Sequence, residues 1–258
     1  MRETGIVKRA VVTPDKHFPV ADMKAISVLC QAIEIVKPDI YIDLGDTGEW
    51  EGASHWKWKR KKKPPIEFII PEIETDIIDV NSGMDIIDES LDKVNCKEKH
   101  FIEGNHEEWV NMFVTANPYL DCYKIPTALK LKSRGYEYHR VGKALKIGKL
   151  YFYHGHHYAG VNHTRNHLLK LGVNIMYGHH HDIQQYSLTR MDDTISAWSI
   201  GCLKDMSPEK NSWLGNRKVN WSHAFAVIAF LEDGNFIVHV VSIINGKTTL
   251  FGDVIYGY

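Results

Sequence analysis

The chain has 258 residues, of which 44% are hydrophobic and 24% charged, and this fits one large α/β domain. A chain of this length buries a core large enough to fold without disulfides or a structural metal, so a bound metal would serve chemistry. The formal net charge of −1 gives no overall indication of a nucleic-acid partner. Four cysteines without a C-x-x-C pair exclude a zinc knuckle and a dithiol redox site.

Short apolar runs alternate with helical periodicity along the first two thirds of the chain. In chain order the patterns predict strands at 6–12, 39–44, 99–102, 149–153, 173–177 and 195–200, and a hairpin of 225–231 with 236–244. Helices are predicted at 21–37, about 83–95, 107–116 and 161–171. We expect an α/β fold that is a four-layer α-β-β-α sandwich of two mixed sheets. A single domain is expected over 1–258, with an insertion at about 50–100.

The N-terminus has no secretory signal pattern, and no run of eighteen apolar residues occurs. These features predict a protein of the cytoplasm, or of the host cytoplasm if a phage encodes it, without a membrane partner. The sequence leaves the oligomeric state open, with a homodimer as one option.

Polar side chains follow the ends of the predicted strands, and 15 histidines are far more than average usage gives. Sites in α/β sheets form outside the carboxyl ends of strands, so these side chains should meet at one edge. Carboxylate, amide and imidazole together suit Mn, Fe, Zn or Ni better than Mg or Ca. We expect extended backbone to turn both members of each closely spaced pair to one side. The candidate ligands are Asp15, His17, Asp46, Asn105, His154, His179 and His181.

Five motifs in this order resemble the calcineurin-like metallophosphoesterase family. They are Asp15-Lys16-His17, Gly45-Asp46-Thr47-Gly48, Gly104-Asn105-His106-Glu107, His154-Gly155-His156 and Gly178-His179-His180-His181. The segments around Gly201-Cys202-Leu203 and Trp221-Ser222-His223-Ala224-Phe225 resemble phage- or prophage-encoded members.

The resemblance implies two divalent metal ions, with Mn²⁺ as first choice and Fe, Zn or Ni as alternatives. The first ion would take Asp15, His17, Asp46 and His181. The second would take Asp46, Asn105, His154 and His179. It also implies that His106 binds no metal and protonates the leaving group, which makes His106 and Asp46 the catalytic residues. Glu49 departs from the Asp or Asn that many relatives carry soon after the bridging Asp.

The sequence predicts further roles near the site, and some of them have two interpretations. The run Trp56 to Lys63 either contacts phosphates and stacks bases, or is a solvated loop. Asn105 could also cap a helix. The predicted substrate contacts are Asn105, His156, Lys59 and Arg60. His163 and His167, four apart on a predicted helix, could be metal ligands, but they are expected at the surface or the site rim. Trp198, Trp213 and Trp221 are expected in the core or an interface.

The expected function is a phosphodiesterase or nuclease that acts on nucleic acid or nucleotides through in-line attack of a metal-bridging hydroxide. The partner is then a phosphoester substrate, with DNA and RNA as candidates. One alternative is a phosphomonoesterase for a phosphoprotein or a small metabolite. The other is a non-catalytic binding platform on the same fold.

Overall fold

A computed structural model describes residues 6–59 and 61–258, without the side chains of His55 and Trp56. Arg60, a predicted substrate contact, lies outside the described residues. The helices are α1 (Met23–Val36), α2 (His55–Trp58), α3 (Ile66–Lys93), α4 (Asn105–Ala116), α5 (Ile125–Ala128) and α6 (His163–Leu171). The strands are β1 (Ile6–Thr13), β2 (Ile40–Asp43), β3 (Glu98–Ile102), β4 (Tyr136–His139), β5 (Leu145–Ile147), β6 (Leu150–Phe152), β7 (Asn174–Tyr177), β8 (Ile183–Thr189), β9 (Thr194–Ile200), β10 (His223–Leu231), β11 (Phe236–Ile243), β12 (Lys247–Leu250) and β13 (Asp253–Tyr256).

Two mixed sheets build the molecule. The first has the strand order β11-β10-β1-β2-β3-β4, and the second has the order β5-β6-β7-β9-β8. Strands β1 to β4 run parallel, whereas β10 pairs antiparallel with β1 and carries β11 on its other edge. The predicted tail hairpin is therefore present, and it extends the first sheet. A separate hairpin of β12 and β13 packs against α1.

Alternation along the strands divides the core into layers. On β1, Ala10 and Val12 face the second sheet, while Val11 faces the helices that cover the first sheet. On the far side, Leu168 of α6 packs on Ile175 of the second sheet. The layers are thus helix, sheet, sheet and helix, which confirms the predicted four-layer sandwich. Among the described helices, none is long and apolar enough to cross a membrane.

Helix α3 is much longer than the sequence predicted, with 28 residues in place of the expected 83–95. The sequence analysis expected irregular chain at about 50–65, which ends in Pro64 and Pro65, and a helix only from about 83. Pro71 nevertheless lies inside the helix. One face of α3 buries apolar side chains over its whole length, from Ile69 to Leu91, and this burial outweighs the one main-chain bond that a proline removes.

Candidate metal centre

The candidate ligands leave the strand ends in tight turns and not in extended chain. His17, Asp46, His179 and His181 all have positive φ, between 47° and 64°. The expectation that extended alternation orients each pair was therefore wrong. These left-handed conformations are costly for residues with a Cβ, and they cluster where the surrounding contacts hold them. His180 does turn away, and its ring stacks on that of His163 at a centroid distance of 3.8 Å.

One group of donor atoms surrounds His154 Nε2. This nitrogen lies 2.9 Å from Asn105 Oδ1, 3.2 Å from His179 Nδ1 and 3.2 Å from Asp46 Oδ2. Asn105 is the first residue of α4, and Gly104 takes the N-cap position instead, so the capping alternative for Asn105 does not hold. Four side chains from four separate segments thus converge on one point.

A second group lies beside the first. His17 Nε2 is 3.1 Å from His181 Nε2, which in turn is 3.6 Å from Asp15 Oδ1. Asp46 Oδ2 is 4.0 Å from His17 Nε2, so the same carboxylate oxygen faces both groups. All seven predicted ligands are brought together, in the two sets that the resemblance implied.

The chemistry of these donors fits a divalent cation. His154 Nδ1 donates to the main-chain oxygen of Leu44 at 2.9 Å, which leaves Nε2 with its lone pair toward the other donors. Asp15 accepts both its bonds from the N–H of His179, at 3.0 and 2.8 Å, and this fixes its carboxylate. Unprotonated nitrogens and carboxylate oxygens at such distances repel one another unless a cation or a proton lies between them.

The electrostatics of the site point the same way. Burial disfavours the charged form of His154, but the Asp46 and Asp15 carboxylates outweigh it and raise the pKa of His154 to about 10. Burial lowers the pKa of His17 to about 4 and holds the pKa of His179 well below its ordinary value. The same negative potential that favours a proton on His154 also attracts a metal cation. Neutral histidines can then bind this cation through an unprotonated ring nitrogen.

Glu107, which the sequence analysis placed only in the first turn of a helix, holds two ligand-bearing loops together. Its buried carboxylate accepts the main-chain N–H groups of Asp46, Thr47, Gly48 and Gly104 and the indole N–H of Trp50, at 2.8–3.2 Å. Burial raises the pKa of Glu107, and the negative charge of Asp46 adds to this rise, while these donors oppose it. The G-N-H-E pattern was the signal for this residue, since Glu107 is three positions after the N-cap Gly104 and accepts its N–H at 3.1 Å.

Glu49, whose role the sequence left open, contacts a ligand from behind. Its Oε2 lies 2.9 Å from His17 Nδ1 and 2.7 Å from Lys204 Nζ. The contact aims His17 Nε2 into the site, as carboxylates behind metal-binding histidines commonly do. Lys204 is buried and lies far along the chain, and no sequence motif marked it.

His106 lies at the cavity wall without joining either ligand group closely. Its Nδ1 donates to the main-chain oxygen of Glu49 at 2.6 Å, and its Nε2 is 3.9 Å from Asp46 Oδ2. The ring packs on Trp109 at a centroid distance of 4.0 Å. The main-chain bond holds Nε2 toward the space where a substrate would lie.

A cavity of about 1020 Å³ opens over the two ligand groups. Its remaining lining side chains are mostly basic or aromatic and include Lys57, Lys59, Lys61, Lys204, Trp109, Trp213, Arg217 and Trp221. Lys59 therefore lies where the sequence analysis expected it. His156 does not line this cavity, and its ring lies 5.7 Å from that of His154 and 6.0 Å from that of His179. Its predicted contact with substrate thus has no support in the geometry.

The remaining histidines and tryptophans that the sequence analysis named lie in three parts of the molecule. His163 lies within hydrogen-bond distance of Tyr177 and Asp182, and His167 of Tyr158 and Tyr153, so both are buried in a polar network and not at the rim. Together with His180 they also form a further group of side chains whose donor atoms lie close enough to hold a metal ion. Trp198 lies in the core between the sheets, as expected. Trp213 and Trp221 line the site cavity, so neither lies in the core.

Comparison with known proteins agrees with this architecture. No family model matches the chain. The Gene 54 protein of Mycobacterium phage L5 is 23% identical over 262 residues, which covers 96% of this chain and 98% of that protein. A crystal structure of a Vps29 single mutant from Entamoeba histolytica superposes with a TM-score of 0.50 at 11% identity, covering 97% of this chain and 99% of the other. Vps29 from the same organism complexed with Zn²⁺ gives 0.47 at 12% identity, covering 96% and 98%.

The molecule therefore has the fold of Vps29 and of the calcineurin-like metallophosphoesterases. Its His and Asp side chains form groups able to hold a divalent metal at the strand ends of that fold.

Proposed function

We propose that this chain is a dinuclear metal-dependent phosphodiesterase that acts on nucleic acid or nucleotides. The observation that carries the proposal is the pair of ligand groups that share Asp46 Oδ2 at the floor of a large, cationic cavity. Asp15, His17 and His181 would hold one ion, and Asn105, His154 and His179 the other. Bound divalent ions supply Lewis acidity to the phosphoryl oxygens and lower the pKa of water, with Mn²⁺ our first choice.

The chain's own residues would do the remaining work. His106 Nε2 faces the cavity beside Asp46, and as an imidazolium it can donate its proton to the departing alkoxide. Its Nδ1 keeps a fixed orientation through Glu49 O. Trp109 packs against the ring and limits its rotation.

The cavity wall favours a substrate with several phosphates. Lys57, Lys59 and Lys61 line it, and Lys57 already pairs with Glu72 at 2.7 Å. Lys61 has no ion pair within the described part of the chain. A polyanion that extends beyond the scissile phosphate would meet more of these cations than a small monoester would.

The test compares substrates on metal-depleted protein to which Mn²⁺, Zn²⁺, Ni²⁺ or Mg²⁺ is added back. We expect Mn²⁺-dependent hydrolysis of bis(p-nitrophenyl) phosphate and of a labelled oligonucleotide, with slower hydrolysis of p-nitrophenyl phosphate. A preference for the monoester would favour a phosphomonoesterase. Protein that binds metal yet hydrolyses none of these substrates would favour a binding platform.

A separate variant tests whether His106 donates a proton to the leaving group. His106→Ala should keep the metal content and lower kcat about 10²–10⁴-fold on the oligonucleotide, whose alkoxide leaving group needs a proton. The loss should be smaller on the nitrophenyl diester, whose leaving group is stable as an anion. His239→Ala is the matched control, because His239 is an exposed residue of β11. Equal losses on both substrates would refute proton donation.

A further inference from the structure

Two tryptophans and an arginine form one wall of the site cavity. Trp213 is 60% exposed and lies in a mostly polar segment of the chain. Its ring centroid is 6.1 Å from that of Trp221. Trp221 in turn packs on the ring of the metal-ligand candidate His181 at 4.7 Å. The wall thus begins directly beside the metal centre.

The segment that carries the wall is held in place by its own polar contacts. Asn211, which is buried, donates to the main-chain oxygens of Asp205 at 2.7 Å and Ser207 at 2.9 Å. The Arg217 guanidinium donates to the oxygens of Leu214 and Trp213 and lies 5.4 Å from the Trp213 ring centroid. A fixed loop therefore keeps Trp213 in solvent, at the cost of an exposed apolar surface.

Arg217 adds charge to this aromatic surface. It lines the cavity and makes no ion pair with the residues that the structure describes. An aromatic face beside an unneutralised guanidinium matches a ligand that carries both a flat ring and an anionic group. A nucleotide unit combines these two features, and its phosphate would point along the wall to the metal centre.

We propose that Trp213 and Trp221 form a stacking wall for an unpaired nucleobase, so that the substrate is single-stranded nucleic acid. This rests on the proposed phosphodiesterase function. Bases in a duplex stack on each other and offer no free face, whereas an unpaired base can stack on an indole. Stacking of this kind tolerates any base and contributes on the order of tenfold or more in affinity per base.

The test separates the base from the backbone. Two labelled oligomers of equal length are compared by fluorescence anisotropy in EDTA, one of thymidine and one of abasic tetrahydrofuran units. The wild type should bind the thymidine oligomer about tenfold more tightly, and Trp213→Leu should abolish most of that preference. Trp213→Phe should retain part of it. Circular dichroism should show that the variants are folded.

A matched control is Tyr119→Leu, because Tyr119 is also an exposed aromatic residue, 71% exposed, but lies beyond the C-terminal end of α4 and outside the cavity lining. Equal wild-type affinity for both oligomers, or equal weakening of both by Trp213→Leu, would overturn the stacking wall. Binding and hydrolysis then separate the two proposals. A preference for the thymidine oligomer without cleavage would refute the phosphodiesterase proposal and support the stacking wall. Cleavage without such a preference would refute the stacking wall and support the phosphodiesterase proposal.

Discussion

Replacing Glu107 with glutamine should lower both the stability of the protein and its affinity for metal. The carboxylate accepts bonds on both oxygens, two on Oε2 and three on Oε1. A carboxamide keeps one acceptor oxygen, so its NH₂ group must face at least two of the N–H donors. The loops that carry Asp46 and Asn105 then lose the shared clamp.

The size of the effect follows from the bonds that are lost. Burial raises the pKa of Glu107 to about 7, so the comparison is made at a pH well above 7, where the carboxylate is charged. There, two hydrogen bonds to a charged acceptor are worth about 1.5–3 kcal/mol each, and the relief of a buried charge returns part of this sum. We expect a net loss of about 3 kcal/mol in the free energy of unfolding. For a protein of this size that corresponds to a fall in Tm of about 6–12 °C.

The assay is thermal unfolding of metal-depleted protein, followed by titration with Mn²⁺ in a calorimeter. Glu107→Gln should lower both Tm and metal affinity. Glu108→Gln is the matched control, because Glu108 is the neighbouring acidic residue on α4 and no described donor bonds to its side chain. A Glu107→Gln variant with wild-type Tm and wild-type metal binding would refute the clamp.

Three further predictions concern other parts of the molecule. Asp46→Asn should lower the metal content below two equivalents per chain, measured by elemental analysis. The reason is that the amide of asparagine has no negative charge to share between the two ligand groups. Gly178→Ala should weaken metal binding at least about tenfold in calorimetry, since a Cβ there would approach Asp15 Oδ2 to 2.2 Å. Asp76→Asn should stabilise the protein by about 1–2 kcal/mol at pH 8 and by much less at pH 4, measured by urea unfolding.

The sign of the last prediction follows from proton linkage. Burial raises the pKa of Asp76 to about 6 from an ordinary 3.8, so the folded state binds the proton more tightly than the unfolded chain does. The stability contributed by Asp76 therefore falls as pH rises from about 4 through 6, and asparagine removes this loss. A stability difference that does not change with pH would contradict this account. Unchanged metal content in Asp46→Asn or Gly178→Ala would likewise contradict the ligand assignment.

The side chains that meet at the strand ends, and most elements, could be predicted because each has a strong local signal. Strand ends marked by Gly-Asp, Gly-Asn and Gly-His lie within one or two residues of the predicted positions. The strands β4 and β5 had no such signal, because they have only four and three residues. β8 has seven residues, but none of them is buried and most are polar, so no apolar run marked it. The single-domain organisation and the roles of the ligands stay predictions.

The sequence by itself determined which side chains could bind metal, because residue type and strand-end position are local properties. Only the tertiary structure decided what lies around them. Glu49 and Lys204 meet behind His17 across 155 positions of chain, and Trp213 comes to face the ligands through a loop that carries no motif. The reason is physical: such contacts depend on how two sheets and their loops pack, and packing joins residues whose spacing along the chain follows no period.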